Sequence, residues 1–107
     1  PLAITSLEEI MIPSTIPAIE LRMNIENKGK GKIKQVKLNK AVLSGEALDC
    51  EFKNSPEKNS FTFKDKQEAT LICKKTLKDQ KSYESVLLVD LSFSYILKEK
   101  KTITILK

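Results

Sequence analysis

Histidine is absent from this chain, and that absence removes a large part of enzyme chemistry. Serine and cysteine triads, histidine general bases and histidine-bound zinc all need an imidazole and are excluded in their usual forms. The two cysteines by themselves supply only half of a tetrahedral metal site, so no metal and no cofactor is expected. Tryptophan is also missing and aromatic residues make up only 6% of the chain, which leaves few platforms on which bases of a single strand could stack. Arg22 is the only arginine, so the net charge of +5 is carried by lysine. Lysine is a flexible point charge without the planar fork that reads bases and phosphates. No apolar run approaches the roughly 20 residues that a membrane-spanning helix requires, and none of the acidic residues follows the spacing of a calcium-binding loop. No membrane insertion is expected within this segment.

What the chain does have is period-two patterning. At 107 residues it suits one domain, 1–107, with a single core. It begins with Pro1 and carries no basic-then-apolar leader, as expected of a processed product or one module of a longer protein. The clearest stretch is Ile19 to Ile33. Ile19, Leu21, Met23 and Ile25 fall on one side of an extended chain and Glu20, Arg22, Asn24 and Glu26 on the other, the signature of a half-buried strand. Asn27-Lys28-Gly29-Lys30-Gly31 then offers residues that tolerate positive φ, and the chain turns into a second run through Ile33, Val36 and Leu38. The same glycines do not make a phosphate-cradling loop, because a strand rather than a helix follows them.

The rest repeats this plan. Leu2 to Leu7 reads as a first strand; the adjacent Glu8 and Glu9 would point to opposite faces and so cannot converge on one substrate. Ile10 to Pro17 is apolar but broken by Pro13 and Pro17, which predicts an edge segment or crossing loop. Its Met11, Ile12 and Ile16 are the best candidates for a protein contact. Lys32 to Val42 forms the next strand, with a phase change between Ile33 and Val36 that predicts a bulge. Ala47 to Lys53 and Ala69 to Lys74 are further strands, and Phe61 and Phe63 alternate inward between them. Lys75 to Ser82 has room for one helical turn at most. Tyr83 to Leu97 is the longest strand, its core face carrying Leu87, Val89, Leu91 and Phe93. Lys98 to Lys101 is a hairpin loop, and Thr102 to Leu106 returns with Ile103 and Ile105 inward. Tyr83 and Tyr95 read as amphipathic residues at the edge of the core.

Cys50 and Cys73 each share a strand face with apolar neighbours, so two facing core positions can be bridged. A disulfide is the favoured reading, and two separate buried thiols in a cytosolic protein the alternative. Closing this loop would add about 3 kcal/mol of stability in the chain-entropy model. Asp49 and Glu51 flank Cys50 and should point away from the core, while Asp65 lies in a turn; nothing in the sequence brings two acids together for catalysis. Seven or eight short strands with frequent turns and no amphipathic helix predict an antiparallel β-sandwich with Greek-key links. A small closed barrel is the alternative.

The alternating strand from Ile19 to Asn27, then Gly29, Gly31, Val36 and Leu38, resembles the opening of CARDB-like domains. These are immunoglobulin-like, cell-adhesion-related modules of prokaryotic surface proteins. The closing Tyr83, Leu91, Phe93, Tyr95, Ile103 and Ile105 are similar to the end of such domains, and the cysteine pair lies outside the general family pattern. The resemblance implies an all-β, immunoglobulin-like sandwich of about seven strands. It also implies a non-catalytic, extracellular or cell-surface role as a spacer or adhesion module, with no catalytic residues to carry over. The expected partners are neighbouring domains or another surface protein, and the isolated domain is expected to be monomeric. A small basic β-barrel that binds nucleic acid or another polyanion is the competing expectation; it needs exposed aromatics beside the lysines.

Overall fold

The computed structural model describes residues 2–13, 15–76, 86–95 and 100–106, with the side chains of Tyr95, Lys100, Lys101, Ile105 and Leu106 left aside. Among the described residues the chain is all β. Its strands are β1 (Leu2–Ile12), β2 (Ala18–Asn27), β3 (Ile33–Leu43), β4 (Glu46–Ala47), β5 (Asp49–Phe52), β6 (Ser60–Thr62), β7 (Glu68–Thr76), β8 (Leu87–Tyr95) and β9 (Lys100–Leu106). They form two antiparallel sheets, one in the order β1-β2-β7-β5 and the other in the order β4-β3-β8-β9, with β6 also paired to β3. The two sheets pack as a β-sandwich rather than closing into a barrel.

The period-two pattern dictates the core. Leu21, Met23 and Ile25 from β2 meet Val36 and Ala41 from β3, Leu71 and Cys73 from β7, and Val89, Leu91 and Phe93 from β8 in one buried cluster. Ile19 belongs to the same strand face but is only partly buried; its partner across the β1–β2 ladder is Met11, which is 60% exposed. A slip of one residue in β2 would place Glu20 and Arg22 where Leu21 and Met23 now sit, so the register is strongly held.

Several elements differ from the sequence expectation. β1 runs on through Ile12 instead of ending at Leu7, and Ile10 to Ile12 pair with Ala18 to Glu20 of β2. Proline removes a backbone donor only at its own position, so Pro13 stops the strand without disturbing the residues before it. The run Ala47 to Lys53 is not one strand. Glu46–Ala47 pairs with β3 in one sheet, Leu48 crosses over, and Asp49–Phe52 pairs with β7 in the other. Lys100 and Lys101, expected in a hairpin loop, belong to β9 and pair with Ser94 and Phe93. Lys75 and Thr76, expected in a polar connection, belong to β7. The expected bulge is present as a register shift between Ile33 and Gln35, and a second lies between Leu38 and Lys40. The remaining expectations for 77–85 and 96–99, Tyr83 included, and for the Tyr95 and Ile105 side chains lie outside the described residues.

The turn after β2 is held by a side chain. Asn27 Oδ1 accepts the Gly29 N–H at 3.0 Å and its Nδ2 donates to the Gly31 carbonyl at 2.7 Å, an arrangement in which asparagine substitutes for a backbone turn. Positive φ occurs instead at Ser44, Gly45 and Asn54, in the tight connections on either side of β4 and β5.

Candidate functional site

Cys50 and Cys73 form a disulfide between directly opposed residues of β5 and β7. The bond lies within one sheet and does not tie the two sheets together. The Lys53 N–H donates to the Thr70 carbonyl at 2.9 Å. Counting back in the ladder places Cys50 and Cys73 at a non-hydrogen-bonded pair, where opposed side chains approach most closely. Both cysteines are buried and in contact with the core. β5 is a four-residue edge strand, too short to hold its place by backbone pairing alone, and the disulfide fastens it to β7.

The apolar residues singled out as a protein contact are divided. Met11 is 60% exposed and Ile16 62% exposed, whereas Ile12 is half-buried opposite Ala18. Met11 and Ile12 point to opposite faces of β1, so the three do not form one patch on the same surface.

The acids singled out from the sequence do not converge; the directly opposed pair is Glu26 of β2 and Glu68 of β7, each bound to a lysine, Lys28 and Lys66. Glu8 faces Arg22 and Glu9 faces Leu21 in the β1–β2 ladder, which puts them on opposite sides of the strand. Asp49, Glu51 and Asp65 are exposed. Asp49 is bound to Lys58 Nζ at 2.5 Å, and that ammonium holds its carboxyl below the ordinary value while its own pKa is raised in turn. Glu68 is likewise lowered by the hydrogen bond and charge of Lys66, and Lys66 is raised by Glu68. Glu20 is almost buried and is held by Arg22 Nε at 2.8 Å and by Lys74 Nζ at 3.8 Å. Among the described residues no group of three or more cysteine, aspartate or glutamate side chains is placed to hold a metal ion. No helix among the described residues is long and apolar enough to cross a membrane.

What sequence reasoning missed is the separation of charge between the two outer faces. Register places Glu8, Glu20, Glu26, Glu68, Asp49 and Glu51 on the outer face of the β1-β2-β7-β5 sheet, with Arg22 and Lys74 as the cations among them. The outer face of the other sheet carries Gln35, Lys37 and Lys40 from β3, and Asp90, Ser92 and Ser94 from β8. Asn39 Nδ2 donates to Ser92 Oγ at 2.6 Å, and Ser92 Oγ lies 3.2 Å from Thr102 Oγ1. A shallow groove of about 150 Å³ opens beside these residues, lined by Gln35, Lys37, Asn39, Ser92, Phe93 and Ser94. The signal was available in the sequence: between Asn27 and Gly45 there are six lysines and no acidic residue.

No protein-family model, no curated protein and no solved structure matches the chain.

Proposed function

We propose that this domain is a non-catalytic, extracytoplasmic module of a surface or secreted protein, serving as a rigid spacer or as a protein-contact unit. The observation that carries the reading is the Cys50–Cys73 disulfide, set into the buried face of an edge strand pair; such bonds persist in oxidising compartments and are rare in the cytosol. The strand order supports the immunoglobulin-like, CARDB-like assignment. One sheet in the order first-second-seventh-fifth, facing one that contains the third, eighth and ninth strands, has the layout of immunoglobulin sandwiches once the short β4 and β6 are set aside. The non-catalytic reading is supported by the lack of histidine and by the engagement of Glu20, Glu26, Asp49 and Glu68 in ion pairs with lysine or arginine. The competing nucleic-acid-binding barrel is disfavoured by the two-sheet architecture and by the burial of Phe52, Phe63 and Phe93.

Alkylation of the protein taken directly from the cell that makes it, followed by intact-mass measurement without reductant, tests the location. A fully oxidised pair is expected; two alkylated thiols would overturn the extracytoplasmic reading. Serine at Met11 and Ile16 separates the two roles. Unchanged capture of the protein's partners by the double variant favours the spacer, and loss of capture at an unchanged melting temperature makes this end of β1 the contact site.

A further inference from the structure

We infer that the outer surface of β3, continued by the β2–β3 turn, is a binding strip for a linear anionic polysaccharide. Lys30 and Lys32 in the turn and Lys34, Lys37 and Lys40 on β3 are all exposed, and none of them forms an ion pair with a described residue. The contrast with the rest of the surface is what matters. Of the described lysines outside this segment, Lys58, Lys66, Lys74 and Lys75 each have a carboxylate partner, whereas Lys53 and Lys64 have none among the described residues; within the turn, Lys28 is paired with Glu26. At about 3.3 Å per residue the strip from Lys32 to Lys40 extends roughly 25 Å. That length suits an extended chain better than a single small anion.

Its neighbours are hydroxyls and amides. Thr62 of β6 and Ser94 of β8 flank Gln35 on its two sides; Ser60 and Ser92, which flank Lys37, are buried, with their hydroxyls bonded to Glu57 and to Asn39 and Thr102. Gln35, Lys37 and Ser94 make no side-chain hydrogen bond to a described residue and line the shallow groove. Such a surface offers ammonium groups to sulfate or carboxylate and neutral donors and acceptors to sugar hydroxyls. A single-stranded nucleic acid would also need aromatic faces, and the described phenylalanines point inward; Phe61, the least buried, is paired to Val36 on the core side. Asp90 bounds the strip. It stands opposite Lys40, and its Oδ1 is enclosed without a hydrogen-bond partner, so a polyanion is expected to sit toward the turn.

The base of the strip is pre-organised. Gln67 Oε1 accepts from the Ile33 N–H at 2.8 Å and from Asn27 Nδ2 at 2.9 Å. Its Nε2 donates to the carbonyls of Ile33 and Lys64, both at 3.1 Å. The lysine-bearing turn is thereby locked to the neighbouring loop, and less order has to be acquired on binding.

This inference deepens the contact-unit side of the proposed function and does not depend on the location assay. Binding of a heparin oligosaccharide to the purified domain is measured by calorimetry at low and at physiological salt. Single-stranded oligonucleotide of matched charge and neutral dextran serve as competitors. Replacing Lys32, Lys34 and Lys37 together by alanine should weaken heparin binding about tenfold or more. Replacing Lys53, Lys58 and Lys74 together removes the same charge from outside β3 and its turn and should change it less than about twofold. The uncharged change Gln35→Ala with Ser94→Ala should also weaken it. Equal losses in the two lysine triples, or no binding by the unaltered domain, would overturn the strip; equally strong competition by the oligonucleotide would overturn the polysaccharide.

Discussion

Gln67 binds both backbone polar groups of Ile33: its Oε1 accepts the Ile33 N–H at 2.8 Å and its Nε2 donates to the Ile33 carbonyl at 3.1 Å. Ile33 opens β3 in one sheet and Gln67 immediately precedes β7 in the other, so one amide side chain joins the two layers at this end. Leaving polar groups of this kind without a partner costs about 1–3 kcal/mol each. Gln67→Ala is expected to destabilise by about 2–3 kcal/mol in urea unfolding. Gln67→Glu keeps the acceptor but loses the donor, and should fall between the variant and the parent. A loss below that of an ordinary surface substitution would mean that water replaces Gln67 without penalty.

The disulfide is expected to contribute about 3 kcal/mol. Cys50 and Cys73 are 23 residues apart, and their bond ties the four-residue edge strand β5 to the interior strand β7. Reduction, or the double change Cys50→Ala with Cys73→Ala, should lower the melting temperature by about 10–20 °C for a domain of this size. It should leave the β-type circular dichroism in place, because neither sheet interface depends on the bond.

Core truncation should separate inward from outward positions within one strand. Leu21→Ala and Leu91→Ala are each expected to cost about 2–5 kcal/mol, since both side chains are buried between the sheets. Ile19→Ala should cost less, its side chain being only partly covered, and Lys34→Ala should leave stability within about 0.5 kcal/mol of the parent.

The pH dependence follows from two exposed ion pairs. The carboxyls of Asp49 and Glu68 are held below their ordinary values of 3.8 and 4.5. Their contribution is therefore present above those values and is lost as pH falls through the lowered folded pKa. Lys58 and Lys66 are raised above 10.5; their contribution is present below that value and is lost as pH rises through the raised one. Urea midpoints are expected to be flat from about pH 6 to pH 9 and to decline on both sides. The acid decline should become shallower in the double variant Asp49→Asn with Glu68→Gln and should be reduced by salt.

The alternation of Ile19 to Ile25 and of Leu87 to Phe93 was sufficient to specify strands and most of the core, because side-chain period two is a local property of extended backbone. The cysteine pairing was legible for the same reason: both residues stood on apolar strand faces. Which sheet a short strand joins is a different kind of question. Ala47 and Asp49 read as one run in the sequence, and their separation at Leu48 depends on hydrogen-bond partners in β3 and β7 that are distant along the chain. The role of Gln67 was equally hidden, since a glutamine in a polar turn reveals nothing of the Ile33 backbone 34 residues away. The chain alone thus determined strands, core faces and a lysine-rich, acid-free segment. Only the folded pairing of the sheets placed Glu8, Glu20, Glu26, Asp49, Glu51 and Glu68 on one outer face and Lys37 and Lys40 on the other, because surface charge is sorted by register between strands and not by order along them.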